Sequence, residues 1–219
     1  MRVYNLVSEE NAIKNIRNRR LKISTINDLN DPYELMGLQL INKDYRKVFK
    51  QRRAEFAKKF GVLCFSKSWR NPVLWGHYGD KHAGVCLGFD VPDTLLKDVN
   101  YYSSLRCMES DIEVRQPQIG TELLHELLYW KFQDWSYEEE TRFLVKLDTC
   151  DKDGALYFYP FSDDLVLREF IIGACCKKAS QDIVGLIKPF TKGVEIIKSR
   201  LAFKDYRVVR NKQYKIVKI

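Results

Sequence analysis

The chain contains little glycine and little proline, 11 and 6 among its 219 residues. This composition excludes collagen-like repeats and argues against long disordered segments. No apolar run approaches the roughly 18 residues that a membrane-spanning helix needs, and no charged, then apolar, then small-residue leader opens the sequence. The sequence therefore predicts a cytoplasmic protein without a membrane partner, and its length fits a single domain over residues 1–219.

Metal-binding sequence motifs are also lacking. The six cysteines are scattered and form no Cys-x-x-Cys pair, which argues against a zinc ribbon. His77, His82 and Cys86 are three possible ligands, but the two histidines are five residues apart and do not stack on one helix face. We therefore expect free thiols in a reducing compartment and no metal site.

Acidic residues are outnumbered, since 29 Asp and Glu face 37 Lys and Arg, which gives a net charge of +8. The excess is concentrated in residues 17–22, 43–59 and 198–219. A field of this sign attracts anions, so nucleic acid is a possible partner of the basic surface. The simpler interpretation of Arg46 to Arg53 is the solvated face of an amphipathic helix.

Apolar periodicity predicts short strands with helices among them. The predicted strands cover residues 2–6, 21–24, 62–66, 83–89, 157–161, 169–173 and 194–199, and the predicted helices cover residues 8–19, 42–60, 72–78, 118–133 and 179–188. Residues 206–210 and 214–219 are predicted to pair as a β-hairpin. Helices segregated among short strands indicate an α+β fold.

Residues 135–142 place Glu138, Glu140 and Arg142 at a spacing of two, where a further strand is predicted to begin. Alternate residues of a strand share one face, so the two carboxylates and the guanidinium should lie together, opposite Phe143. Paired carboxylates raise each other's pKa and can divide acid, base and electrostatic roles. The alternative interpretation is a solvated strand start in which Arg142 only bridges Glu140.

Several separated motifs resemble the bacterial and archaeal domain of unknown function 2971. They occur in chain order at residues 21–24, 29–34, 64–66, 74–78, 82–89, 135–142 and 167–173, and include Leu-Asn-Asp-Pro-Tyr-Glu and Leu-Trp-Gly-His-Tyr. Together the motifs extend over residues 4–190, and on them the chain is identified as a member of that family. The family name implies no activity.

A more distant resemblance, to ADP-ribosyltransferases, implies a fold and an activity. Those enzymes hold NAD in a split, mostly antiparallel β-sheet with flanking helices. Their site combines a first strand, a strand that ends in a small hydroxyl residue before an aromatic-bearing helix, and a strand that opens with a catalytic Glu. Residues 2–4 look like the first piece, residues 61–68 and the following helix like the second, and residues 138–140 like the third.

The resemblance implies that NAD is a substrate, that no cofactor is tightly bound, and that the protein acts as a toxin or a phage-defence effector. Glu140 would stabilise positive charge on the ribose as nicotinamide leaves, and Glu138 would orient or deprotonate the acceptor. The nucleotide-binding candidates are Arg2, Tyr4, Ser66, Trp75, His77, Tyr78, His82 and Arg142. An ordinary structural role, such as core aromatics for Trp75 and Tyr78, is the alternative for each.

Two other function classes fit the same residues. In a metal-dependent nuclease, Asp31, Glu34, Glu138 and Glu140 would bind a hard cation while the basic helix follows phosphates. This hypothesis requires the polar loop around Asn30 to contact the Glu138 strand. In a non-catalytic nucleic-acid or protein-binding module, the basic helix would bind the partner and the carboxylates would serve only the structure.

Overall fold

The computed structural model describes residues 1–107 and 120–219. Its helices are α1 (Glu9–Arg17), α2 (Lys43–Lys59), α3 (Pro72–His77), α4 (Thr121–Leu127) and α5 (Ser180–Ile187). Its strands are β1 (Arg2–Val7), β2 (Arg20–Thr25), β3 (Phe60–Ser66), β4 (Val85–Asp90), β5 (Leu96–Asp98), β6 (Asn100–Tyr102), β7 (Trp130–Phe132), β8 (Glu140–Lys146), β9 (Asp151–Asp153), β10 (Leu156–Pro160), β11 (Val166–Ile172), β12 (Glu195–Leu201), β13 (Val208–Arg210) and β14 (Val217–Lys218). These elements confirm the predicted α+β class.

A large, mostly antiparallel sheet organises the described residues. Its strands run in the order β13-β12-β11-β4-β1-β3-β2-β10-β9, while β8 pairs with the other edge of β3 and with β5. The β11 and β12 pair is parallel, with α5 in the connection between them, as a crossover of this kind requires. β6 and β7 form a separate parallel pair beside this sheet.

The sheet opens along one edge of β3. β1 meets β3 at a single pair, Tyr4 with Ser66, and β2 meets the opposite end of β3 at Val62 and Gly61. Between these ends the backbone of β3 has no strand partner on this side among residues 1–107 and 120–219, and the Asn5 side chain donates a hydrogen bond to the Cys64 carbonyl at 3.1 Å. The sheet is therefore split between β1 and β2, while β8 continues along the whole other edge of β3.

One face of the sheet is covered by α1 and α5. Ser8 accepts a hydrogen bond from the Asn11 backbone N–H and caps α1, a contact that typically contributes about 1 kcal/mol. Ala12 and Ile16 of α1 are fully buried in an apolar core that also contains Phe65 and Phe89 of the sheet. Because α1 joins β1 to β2, it crosses the sheet beside the split.

The basic helix α2 begins after Asn42, which caps two backbone N–H groups. It buries Phe49 and Phe56 in a second apolar cluster with α4, and its basic residues remain mostly exposed. The predicted solvated face is confirmed. No helix in the described ranges combines the length and apolar character needed to cross a membrane.

Two predicted elements outside residues 138–140 differ from the structure. The helix predicted over residues 118–133 is α4, which ends at Leu127, because Trp130 to Phe132 pair with β6 as strand β7; residues 118 and 119 lie outside the described residues. The predicted C-terminal hairpin is wrong, since β13 and β14 each pair with β12 and not with one another. Both differences arise from pairing with distant strands, which local periodicity does not contain.

Candidate functional site

A row of paired residues crosses the sheet at the split. Glu169 of β11 pairs with Gly88 of β4, Gly88 with Tyr4 of β1, Tyr4 with Ser66 of β3, and Ser66 with Glu140 of β8. Directly paired residues of neighbouring strands project their side chains to the same face. Tyr4, Ser66 and Glu140 therefore lie side by side on one face, where the sheet opens.

The segment before β8 differs from the predicted strand. Glu138 ends a 3₁₀ helix, Glu139 adopts a left-handed conformation with φ 44°, and β8 begins only at Glu140. The bend at Glu139 is held by hydrogen bonds of its backbone to Ser136 and Lys67. Glu138 therefore comes close to Glu140 through a turn and not through strand alternation.

Five buried charged residues form what we call the ion cluster: Glu34, Lys131, Glu138, Glu140 and Arg142. The Lys131 ammonium lies 2.5 Å from a Glu138 oxygen and 3.1 Å from a Glu140 oxygen. It therefore bridges the two candidate catalytic carboxylates. Three carboxylates face two cations, so the cluster carries one net negative charge when all five groups are charged.

Arg142 organises the other half of the ion cluster. Its guanidinium donates two hydrogen bonds to Glu34, at 2.6 and 2.8 Å, and two to Glu140, at 2.8 and 3.0 Å. A fifth contact, of 2.5 Å, joins it to the Leu128 carbonyl. The side chain is fully buried. The predicted bridge to Glu140 is present, but it is a buried contact and not a solvated one.

Burial and the two cations move the acidities of the two glutamates in opposite directions. Burial opposes ionisation of Glu140, but the charges of Arg142 and Lys131 outweigh it and lower its pKa to about 2. Burial raises the pKa of Glu138 above its ordinary value, against the attraction of Lys131. Burial lowers the pKa of Lys131, and the carboxylates of Glu140 and Glu138 more than restore it. Glu140 is thus a fixed anion, and Glu138 becomes protonated at a higher pH than Glu140 does.

The α3 helix supplies an aromatic hydroxyl to the ion cluster. Asn71 caps this helix and Pro72 occupies its first turn, an arrangement typical of helix starts. The Tyr78 hydroxyl donates a hydrogen bond to Glu138 at 2.6 Å. Burial and the neighbouring Glu138 carboxylate raise the pKa of Tyr78, so the phenol stays protonated as a donor.

A cleft of about 610 Å³ occupies the split between β1 and β2. This volume falls within the roughly 300–1,000 Å³ typical of small-molecule sites. Among the residues that line the cleft are Tyr4, Asn5, Asn11, Lys14, Asn15, Asn18, Arg20, Lys22, Asn30, Glu34, Ser66, Tyr78, Lys131, Glu138, Glu140, Arg142 and Phe158. The sequence-predicted residues Tyr4, Asn30, Glu34, Ser66, Tyr78, Glu138, Glu140 and Arg142 are therefore brought to one cavity.

Two of the predicted nucleotide-binding residues, Arg2 and Arg142, are already engaged with protein groups. Arg2 lies away from the cleft, at 2.6 Å from Asp90 and 2.9 Å from Glu169. Arg142 lines the cleft, but its donors are bound by Glu34, Glu140 and the main chain. Arg2 is thus placed outside the cleft, and all three nitrogens of the Arg142 guanidinium donate to protein groups.

Trp75, His77 and His82 are not among the residues that line the cleft. Trp75 is fully buried and donates its indole N–H to the Trp69 carbonyl at 2.6 Å. His82 stacks on Trp75 with ring centroids 6.3 Å apart, and His77 is exposed against the rings of Trp135 and other aromatics. These contacts correspond to the ordinary structural alternative.

Asp31 is also separate from the cleft. Its buried carboxylate accepts a hydrogen bond from the Tyr33 backbone N–H at 2.9 Å and lines a second, aromatic cavity. Within residues 1–107 and 120–219 no three or more His, Cys, Asp or Glu side chains are arranged to hold a metal ion.

Sequence reasoning missed several residues of the cleft. Lys131 belongs to no motif and lies in the segment predicted as helix, so its role between Glu138 and Glu140 was not apparent. Asn11, Asn15 and Asn18 recur at intervals of four and three, a spacing that places them on one helix face and could have been noticed.

The chain was compared with protein families, with curated proteins and with solved structures, and no match was found in any of the three. The resemblances drawn from its motifs therefore remain predictions.

Proposed function

We propose that the cleft binds NAD and that the protein cleaves the bond between nicotinamide and ribose, transferring ADP-ribose to a protein, a nucleic acid or water. The observation that carries this proposal is the row of Tyr4, Ser66 and Glu140 on three neighbouring strands at the opening of the sheet. These strands are the three pieces that the resemblance to ADP-ribosyltransferases named. The ADP-ribosyltransferase-like form of the split sheet belongs to the same proposal.

Glu140 suits the electrostatic role. When the glycosidic bond breaks, the electron pair leaves with nicotinamide and positive charge develops on the ribose. A carboxylate with a pKa of about 2 is ionised at every physiological pH and stabilises that charge. Its hydrogen bonds to Arg142 and Lys131 fix its orientation before the substrate arrives.

Glu138 suits the role of base. The acceptor loses a proton as it attacks the anomeric carbon, and a carboxylate with a raised pKa accepts that proton more readily than an ordinary one. Tyr78 and Lys131 hold the carboxylate by hydrogen bonds to its two oxygens. The same contacts keep it directed towards Glu140.

Tyr4 and Ser66 complete the part of the cleft that we propose binds nicotinamide and its ribose. Tyr4 is in the first-strand position, and its half-buried ring offers an aromatic surface. The Ser66 hydroxyl donates to the Ser68 carbonyl at 2.7 Å and retains acceptor capacity for a ribose hydroxyl. With Tyr78 opposite, the nicotinamide ring would lie among aromatic and hydroxyl groups.

The nuclease alternative receives partial support from geometry. The loop that carries Glu34 does reach the β8 strand, because Glu34 and Glu140 share Arg142. However, Asp31 is directed elsewhere, and the oxygens of Glu138 and Glu140 already accept hydrogen bonds from Tyr78, Lys131 and Arg142. A metal ion needs direct coordination by such oxygens, whereas positive charge on a ribose needs only a negative charge nearby.

The proposal is tested by measuring nicotinamide release from NAD with wild type and Glu140→Gln, in the presence of a chelator. We expect NAD to raise the melting temperature of both proteins by mass action and only wild type to release nicotinamide. An Asp90→Asn variant, which changes an exposed carboxylate outside the cleft, is the matched control. Absence of both NAD binding and nicotinamide release would overturn the proposal, and cleavage of nucleic acid with added magnesium would then favour the nuclease.

The biological role implied by the family resemblance is a further part of the proposal. If the enzyme consumes NAD without restraint, its expression in a bacterium lowers cellular NAD and arrests growth. Measuring NAD content and growth after induction of wild type and Glu140→Gln separates a toxin or defence effector from a protein with a harmless activity.

A further inference from the structure

We infer that the asparagine-lined arm of the cleft, formed by Asn5 of β1 and by Asn11, Asn15 and Asn18 along α1, binds the adenosine half of the dinucleotide. This inference rests on the proposed function, because it assigns the second half of the same substrate. The four side chains line the cavity that also contains Glu140. The assignment thus divides one cleft into a reacting end and a recognition end.

Asn11 and Asn15 lie in α1, and Asn18, the residue that caps the C-terminus of this helix, continues the same side. Their spacing of four and three residues places them in line, while Ala12 and Ile16 occupy the side that packs on the sheet. Asparagine is a poor helix former because its side chain competes for backbone hydrogen bonds. The presence of Asn11 and Asn15 within a short helix is therefore not explained by the stability of the helix.

The carboxamides of this row are available to a ligand. Among the residues that the structure describes, the side chains of Asn11, Asn15 and Asn18 make no hydrogen bond. Asn15 is only 7 % exposed and lines the cleft, whereas Asn11 and Asn18 are exposed, so its amide is the most enclosed of the three. A bound polar ligand would displace water from this amide and supply the hydrogen-bond partners that it lacks among the described residues.

Asn5 adds an unsatisfied acceptor at the split. Its amide nitrogen donates to the Cys64 carbonyl, and its Oδ1 is buried without a donor in the described part of the chain. A ligand amino group or ribose hydroxyl supplies the kind of donor that this oxygen lacks.

The chemistry of the arm matches adenine. A carboxamide offers a donor beside an acceptor and forms paired hydrogen bonds with the amino group and adjacent ring nitrogen of adenine. On the β2 and β10 side of the cleft, the Arg20 guanidinium lies 3.7 Å from the centre of the Phe158 ring. This stacked pair forms a flat surface suited to a base.

A cation for the diphosphate lies in the same cleft. Lys22 of β2 lines the cavity and forms no ion pair with any residue within 1–107 or 120–219. The other cations of the cleft are engaged with carboxylates, including Arg20 with Asp153 and Lys14 with Glu10. Lys22 is therefore the side chain that we assign to the phosphate bridge between the two halves of the ligand.

The test measures binding of AMP, ADP-ribose and nicotinamide mononucleotide by titration calorimetry. We compare wild type with Asn15→Ala and with the double variant Asn11→Ala/Asn18→Ala. Because Asn11 and Asn18 are exposed, the double variant should remain folded. Asn100→Ala, the same chemical change at an exposed position outside the cleft, is the control. We expect about tenfold or greater loss of affinity for AMP and ADP-ribose in both cleft variants, less than twofold change for nicotinamide mononucleotide, and no change in the control.

The outcomes separate this inference from the proposed function. If wild type releases nicotinamide from NAD but AMP affinity is unchanged in both cleft variants, the adenosine assignment is overturned and the catalytic proposal stands. If NAD is not consumed but AMP affinity falls only in the cleft variants, the adenosine site stands without the transferase. Failure of wild type to bind either AMP or ADP-ribose overturns the adenosine assignment.

Discussion

Two groups of arginines and carboxylates lie on the same sheet and differ mainly in their contact with water. At one side, Arg2 and Arg168 share the Asp90 carboxylate at 2.6 and 2.9 Å, and these side chains are 33–46 % exposed. At the other side is the ion cluster, in which all five side chains form ion pairs and none is more than 6 % exposed. The hydrogen-bond distances are similar, so burial is the main difference between the two groups.

This contrast indicates where a functional site is to be sought. An exposed ion pair contributes little to stability and costs little to form. Burying a cluster of charges has a large desolvation cost, and a protein with apolar residues of similar volume in their place is often at least as stable. We hypothesise that the ion cluster is kept because it holds two carboxylates in a fixed place beside the cleft.

The largest expected effect is on stability when Arg142 is removed. Arg142→Met leaves Glu34 and Glu140 buried without their main cation, which typically costs about 3–5 kcal/mol of unfolding free energy. Arg168→Met, the matched change at the exposed group, should cost less than about 1 kcal/mol. Urea denaturation of both variants measures this contrast, and equal losses would show that burial does not separate the two groups.

The next effect concerns catalysis. Glu140→Gln keeps the shape of the side chain and removes its negative charge, so we expect nicotinamide release to fall by about 10²–10³-fold. The measurement is kcat/KM for NAD, with circular dichroism to establish that the variant is folded. A rate within threefold of wild type would remove Glu140 from the mechanism.

A smaller effect is expected from pH. Because the pKa of Glu138 is raised by burial, the protonated form persists above the usual range of a glutamate and the base is lost as pH falls. Transfer of ADP-ribose to an acceptor should therefore fall about tenfold per pH unit below an apparent pKa above 4.5. In Glu138→Gln most of the transfer should be lost, and the remaining rate should no longer fall at low pH. If the remaining rate still fell at low pH as in wild type, another group would be responsible for that fall.

The smallest effect is expected at Asp90. Hydrogen bonding to Arg2 is the main cause that lowers its pKa, so its contribution to stability is present above the unfolded value and is lost as pH falls through the folded one. Since the pair is exposed, Asp90→Asn should cost less than about 1 kcal/mol and the loss should shrink in high salt. A loss above about 2 kcal/mol would contradict the comparison.

Local sequence patterns predicted most of the element order and part of the site. The helices predicted over residues 8–19 and 42–60 correspond to α1 and α2, and the predicted solvated face at Arg46 to Arg53 is present. The association of Glu140 with Arg142 followed from a spacing of two. These features depend on residues that are close in the chain.

The remaining features depend on contacts between distant residues. Lys131 joins Glu138 and Glu140 only because β7 pairs with β6 and turns the chain back towards β8. Glu34 reaches Arg142 across 108 positions, and no local pattern indicates that pairing or its burial. The asparagine face of α1 becomes meaningful only once the split between β1 and β2 places it along a cleft.

The most direct test of the central claim is a crystal structure of Glu140→Gln with NAD, because this variant should bind the substrate without consuming it. The account predicts nicotinamide between Tyr4 and Tyr78, with the anomeric carbon of the ribose facing residue 140. NAD bound elsewhere, or a cleft that stays empty at millimolar NAD while the protein is folded, would contradict it.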